Sequence, residues 1–198
     1  YGGNGSGGLA TNIGVSISGA KVATVGAGKV TISGTGGQGN VGSNIGVYTE
    51  NASTVVSSQG ADINIIGQGG NGVKSVGVLI GGGTVGVAAG TTSANVIMTT
   101  DSVQLQTSTI NSGTGTTTIQ NKTAGTMVNV GGADVLNTTP LTLGITNAEM
   151  NLITAGTLKI GSTTSGAMTT SATVAAASAS VSASICREGR ISAARPAG

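Results

Sequence analysis

Residues 30–49 read VTISGTGGQGNVGSNIGVYT, and residues 63–80 read INIIGQGGNGVKSVGVLI. Each stretch opens on a run rich in Val, Ile and Thr, passes through a glycine-rich turn, and ends on a second β-rich run. β-Branched side chains fit a pleated surface, so these runs predict strands. Glycine and asparagine between them allow tight reversals. The unit also extends backwards. Asn12-Ile13-Gly14-Val15 recurs as Asn44-Ile45-Gly46-Val47, and Val76-Gly77-Val78 is a third copy, with Gly77 in the place of Gly14 and Gly46. Glycine-rich turns precede all three copies, at 2–8, 34–39 and 67–72. No helical period appears in residues 1–130.

One such unit cannot bury its apolar face alone, but stacked units can, each pairing its strands in parallel with the next. The repeat therefore predicts an all-β parallel β-solenoid over residues 1–170, with small aliphatic residues inward and Thr, Ser and Asn outward. At roughly 20 residues per coil this makes about eight coils and a rod on the order of 40 Å long. Strands are expected near 12–17, 29–33, 44–49, 62–66, 76–80, 116–120, 126–130 and 157–160, and Val103-Gln104-Leu105 reads as another short one.

Composition agrees. Of 198 residues 37 are Gly, aromatics make up 1% and charged residues 7%, and Trp, Phe and His are absent. A globular core anchored on aromatics is not available, whereas a narrow core of Val, Ile and Ala is. Disorder is the competing reading of so much Gly and Ser. The mean hydropathy of +0.28 and the spaced Val/Ile runs argue against it.

Thr146 and Glu149 have the spacing of a capping box, which offers one or two helical turns near 147–153, over Ala148 to Ile153. A plain turn is the competing reading. Residues 171–185 (SATVAAASASVSASI) read as a final coil or a frayed segment. Residues 186–198 (CREGRISAARPAG) hold all three arginines and the only cysteine, Cys186, and break the pattern. They read as an exposed, mobile tail outside the repeat, foreign or out of register, with a polar cap as the alternative. Tyr1 begins inside a glycine-rich pattern, so the chain reads as a fragment of something longer.

The repeat VTISGTGGQGNVGSNIGVY, the block TTDSVQLQTSTINSGTGTTTIQNKTAGTMVNVGGADV and the element LGITNAEMNLITAGTLKIGSTTSGAMT together resemble the β-strand repeats of giant filamentous-haemagglutinin-like bacterial exoproteins. In those repeats a Leu-Gly-Leu-Thr-x-Ala-Glu-Leu element precedes Ile-Thr-Ala-Gly-Thr-Leu-x-Ile-Gly. Ile145 and Met150 stand here at two of the usual Leu positions. The resemblance covers about residues 2–170. It implies a right-handed parallel β-helix, outer-membrane export, and a secreted or cell-surface location. It supplies no catalytic residues.

Little in the sequence carries chemistry. Gly34, Gly36 and Gly39, and again Gly67, Gly69 and Gly72, match G-x-G-x-x-G. A dinucleotide site needs a helix to open directly after the glycines, and both continuations look like strand. The same turns hold Asn4, Asn40 and Asn71 but no Asp, so the hard oxygen ligands of a calcium turn are missing. The acids Glu50, Asp62, Asp101, Asp134 and Glu149 are far apart in sequence and read as isolated solvated groups, although stacking could bring two together. Cys186 has no His partner, and the sequons at Asn51, Asn121 and Asn137 are expected by chance in so Thr-rich a chain.

The net charge of +2 resides in the last residues: up to Ile185 five lysines balance five acids. No basic patch with stacking aromatics marks a nucleic-acid surface, and no segment reaches the roughly 18 apolar residues of a membrane span. The expectation is a non-enzymatic stalk or spacer with no catalytic, cofactor-binding or metal residues and no cofactor. Its partners would be flanking solenoid coils of the same parent chain, and host or environmental glycans or surfaces. An ice-binding solenoid and a carbohydrate-active β-helix are the alternatives.

Overall fold

The computed structural model describes residues 11–39, 42–72, 74–136, 138–173 and 182–185. The tail at 186–198, with Cys186 and the arginines, lies outside them, as do Asn4, Asn40 and Asn137. Among the described residues the chain is all-β with one helix of four residues.

The strands are β1 (Asn12–Ser18), β2 (Lys21–Ala23), β3 (Val30–Thr35), β4 (Asn44–Glu50), β5 (Val55–Ser58), β6 (Ile63–Gln68), β7 (Val78–Val87) and β8 (Val96–Thr99). They continue as β9 (Val103–Asn111), β10 (Thr116–Gln120), β11 (Met127–Val130) and β12 (Thr142–Ile145). After helix α1 (Asn147–Met150) come β13 (Ile153–Thr154), β14 (Thr157–Ile160), β15 (Met168–Thr170) and β16 (Ser182–Ile185). Pairing between these strands is parallel throughout. One sheet of six strands runs β16-β14-β10-β8-β6-β3. A second, of seven, carries β1-β4-β7-β5-β2 with β9 on β7 and β13 on β9, and a third holds β12-β11-β15.

Each return of the chain to the six-stranded sheet adds one strand in register. Ile32, Ile65, Met98, Ile119 and Ile160 form one inward row, and Val30, Ile63, Val96, Thr117 and Leu158 the next. All ten are buried. Opposite them, Val47, Val78 and Val103 align on the seven-stranded sheet, as do Ile17, Thr49, Ile80 and Leu105. Burying each Val or Ile of such a row contributes about 1.5–3 kcal/mol. The two polar intruders are satisfied: Thr49 Oγ1 donates to the Gly82 carbonyl at 3.0 Å, and Thr117 Oγ1 to Ser112 Oγ at 3.1 Å.

The returns are neither as short nor as regular as the sequence suggested. Along the six-stranded sheet Ile32 is followed in register by Ile65, Met98, Ile119, Ile160 and Ile185. The pass from Met98 to Ile119 is the shortest of these and the pass from Ile119 to Ile160 the longest. Six strands at the usual parallel spacing of about 4.8 Å span on the order of 24 Å, shorter than the length expected from sequence. Roughly 20 residues per coil is too few for the passes from β3 to β6 and from β6 to β8; β1, β2 and β3 all belong to one pass.

The sheets meet most closely at glycines. Gly14, Gly46 and Gly77 stand in line on one side, Gly34 and Gly67 on the other. A Cβ on Gly34 would fall on the carbonyl of Gly46, and one on Gly67 on the carbonyl of Gly77. Here backbone packs on backbone, and the interior narrows to nothing. At this narrow end Asn12 Nδ2 donates to Asn44 Oδ1 at 2.8 Å, and the fully buried Asn44 donates to the carbonyls of Gly39 and Asn71.

Helix α1 is the expected capping box. Thr146 Oγ1 accepts from the Glu149 N–H, and Glu149 Oε2 accepts from the Thr146 N–H at 2.9 Å. The helix stops at Met150, and Ile153 has already entered β13. Thr146→Ala should cost about 1 kcal/mol of stability in a denaturant melt. A change within error would mean that burial of Met150 holds this turn without its cap.

Candidate functional site

The pass between β10 and β14 is the longest, and its additional chain forms β11, β12, α1 and the arm at 131–136. The arm leaves β11, runs antiparallel beside β12 through Val135 and Thr142, and presses Asp134 toward β9. Over Val103 to Leu105, β9 pairs with β7 on one side and, among the described residues, has no strand on the other. Two carboxylates stand where that strand would be. Glu149 Oε1 accepts from the Leu105 N–H at 3.1 Å. Asp134 Oδ1 accepts from the Gly144 N–H at 2.8 Å, and the Val103 N–H acts on the same carboxyl. A strand edge of unpaired N–H groups is thereby closed by side chains.

Between the arm, α1 and β9 lies an open cavity of about 350 Å³, lined by Val103, Leu105, Gln106, Asp134, Thr146 and Glu149 among others. Asp134 Oδ2 is buried there without a hydrogen-bond partner. Burial is the main reason that the Asp134 carboxyl is pushed up to about 8; the Gly144 hydrogen bond opposes it, the nearby Glu149 charge adds to it, and the Val103 N–H opposes it. The buried, unpartnered Oδ2 thus favours the neutral acid at Asp134. Glu149, by contrast, is tied by Leu105 on one oxygen and by the Thr146 N–H and hydroxyl on the other.

Asp101 occupies a second polar centre. It is 8% exposed. Its Oδ1 accepts from the N–H groups of Lys122 (2.9 Å) and Thr123 (2.8 Å) and from Thr126 Oγ1 (2.9 Å), and its Oδ2 accepts from Thr123 Oγ1 (2.5 Å). One carboxylate thus folds the 121–126 turn that leads into β11. An adjoining cavity of about 380 Å³ is lined by Asp101, Thr123, Thr126, Thr138, Pro140 and Leu141 among others.

These three acids depart from the expectation of isolated, solvated carboxylates. Stacking brings Asp134 and Glu149 to one cavity and seals Asp101 under a turn. Asp62 matches the expectation better. It pairs with Lys29 at 3.3 Å on the surface, and the Asn95 hydrogen bond, outweighing a smaller effect of burial and helped by Lys29, holds it below the usual carboxylate range.

The glycines of the two G-x-G-x-x-G matches serve packing. Gly34 and Gly67 lie inside β3 and β6, and a Cβ on Gly36 or Gly69 would meet the backbone of Asn44 or Ser75. The next regular elements after them are strands β4 and β7. Of the sequons, Asn51 is exposed, whereas Asn121 is buried and accepts from Ser162 Oγ and Ser165 Oγ, both at 2.6 Å. No protein-family model matches the chain, and neither a curated protein nor a solved structure matches it.

Proposed function

We propose that this chain is a segment of right-handed parallel β-helix whose work is mechanical: a rigid, non-catalytic spacer. More particularly, it belongs to a secreted or surface-exposed bacterial adhesin-like protein of the filamentous-haemagglutinin type, with further coils of the same parent as its neighbours. The observation that carries the reading is the six-stranded parallel sheet, in which each pass of the chain adds one strand and extends the same apolar rows. Such stacking makes a stiff element whose length grows with the number of passes.

The ice-binding alternative needs threonines repeated at one position from strand to strand. On the outer face of the six-stranded sheet one row reads Thr31, Asn64, Ile97, Thr118 and Lys159, and the neighbouring row Ser33, Ile66, Thr99 and Gln120. Neither is a threonine ladder. A carbohydrate-active reading has the carboxylates Asp134 and Glu149 in its favour, but hydrogen bonds to the protein's own backbone occupy three of their four oxygens.

The test is a polysaccharide-hydrolysis panel run beside an ice-recrystallisation assay and a hydrogen-exchange map of the six-stranded sheet. The spacer reading expects no turnover, no inhibition of ice growth and slow exchange throughout the sheet. Depolymerisation of any polysaccharide, lost with Glu149→Gln, would overturn it.

A further inference from the structure

The arm at 131–136 packs its Ala133–Asp134 backbone closely on Gly144 but contributes no residue to the buried core. Among the described residues its backbone hydrogen bonds are Val135 with Thr142 and the Gly131 N–H on the Ile145 carbonyl; its side-chain anchor is Asp134, on the N–H groups of Gly144 and Val103. The apolar anchors of the region, Leu143, Ile145 and Met150, sit on β12 and α1 and are buried, whereas Val135 on the arm is 37% exposed. What the arm covers is the free edge of β9 at Val103.

We propose that residues 131–136 form a pH-sensitive latch over the β9 edge, closed while Asp134 is protonated and released as Asp134 gives up its proton.

The surroundings of Asp134 set the sign. From β9 it is faced by Val103, Gln104, Leu105 and Gln106, and from β12 by the Gly144 N–H, none of which titrates. From α1 and its cap it is faced by Thr146, Ala148 and Glu149. Among the described residues Glu149 is the one other charged side chain lining the cavity, and α1 has no basic residue in its last turn. An ionised Asp134 therefore has a like charge beside it, no cation in the cavity wall, and one oxygen sealed from water. Lifting the arm hydrates the carboxylate and separates it from Glu149.

Burial pushes the carboxyl up to about 8 with the arm closed, and hydration returns it toward the ordinary 3.8. Between those limits the open arm has lost its proton and the closed arm has kept it, so closure is favoured in acid and weakens as pH rises. The closed-to-open ratio falls about tenfold per pH unit across this window and levels off above it. Only one proton is involved, so the slope cannot be steeper.

The experiment is amide hydrogen exchange on the whole chain from pH 5 to pH 9, with protection factors corrected for the intrinsic rate at each pH. The expected result is that Val103, Val135 and Gly144 lose protection as pH rises while Ile63 and Ile65 in β6 do not. Asp134→Asn, which cannot titrate, should flatten the profile at those three amides. Constant protection at all three in the wild-type chain overturns the proposal, even if the variant does not fold. So does a fall that is shared by β6, which marks global unfolding, or one that persists in Asp134→Asn.

Discussion

Gly67→Ala is expected to disrupt the fold around β4, β6 and β7, with a loss of stability at or above the top of the roughly 1–3 kcal/mol that ordinary overpacking costs. The added methyl would occupy the place of the Gly77 carbonyl and also meet Val78 Cγ2. Neither can yield cheaply. The Gly77 carbonyl is engaged by the Val47 N–H at 2.9 Å, and Val78 is fully buried. Moving either one separates the two sheets at their closest approach. Gly90→Ala supplies the comparison. Gly90 has φ of 83° and nothing within 4 Å of the added Cβ, so its substitution carries only the left-handed backbone penalty of about 1–2 kcal/mol. Denaturant melts should show Gly67→Ala as clearly the more damaging of the two. Equal melts would mean that the sheets can part at Gly67 without loss.

Asp101→Ala is expected to cost on the order of 3–5 kcal/mol, through the loss of several charge-assisted hydrogen bonds at once. The N–H groups of Lys122 and Thr123 and the hydroxyls of Thr123 and Thr126 all converge on this carboxylate. Alanine leaves them facing a void where water must enter or the turn must open. Asp101→Asn keeps the shape and one acceptor oxygen, so it should cost markedly less. Thermal melts of both variants, with exchange rates at Thr123 and Thr126, would test this. If alanine and asparagine are equally mild, the turn is held by its Asn121 network instead.

Much of the fold was legible because one signal repeats. The β-branched runs placed β1, β3, β4, β6, β10, β11 and β14 within a residue or two of where they lie, and the capping-box spacing found α1. The short strands were not visible. Val55 to Ser58 and Lys21 to Ala23 are too brief and too polar to stand out, and they are strands because parallel partners on neighbouring passes recruit them. The length of a pass was misjudged for the same reason. Glycine was read too narrowly as a turn former. At Gly34 and Gly67, the first residues of the expected turns, it is a strand residue chosen for having no side chain, a property that alternation patterns do not register.

The polar centres were less legible still. Passes of unequal length bring Asp134 and Glu149 to one cavity and set Asp101 under a turn elsewhere, and no local spacing encodes which acid will face which strand edge. Only the Thr146–Glu149 pair carried a local signal, and it announced a helix cap. That Glu149 also closes β9 depends on its long-range contact with Leu105.

The unequal returns to the six-stranded sheet, shortest between β8 and β10 and longest between β10 and β14, separate two quantities that a repeat protein usually ties together. Rise along the stack is fixed by hydrogen-bond spacing between neighbouring strands, whatever the length of chain between them. The molecule therefore measures distance in rungs and not in residues. Material added between β10 and β14 leaves the spacing between those two paired strands unchanged. A lineage could lengthen, shorten or exchange such excursions and still deliver whatever lies beyond them to the same distance from the starting point.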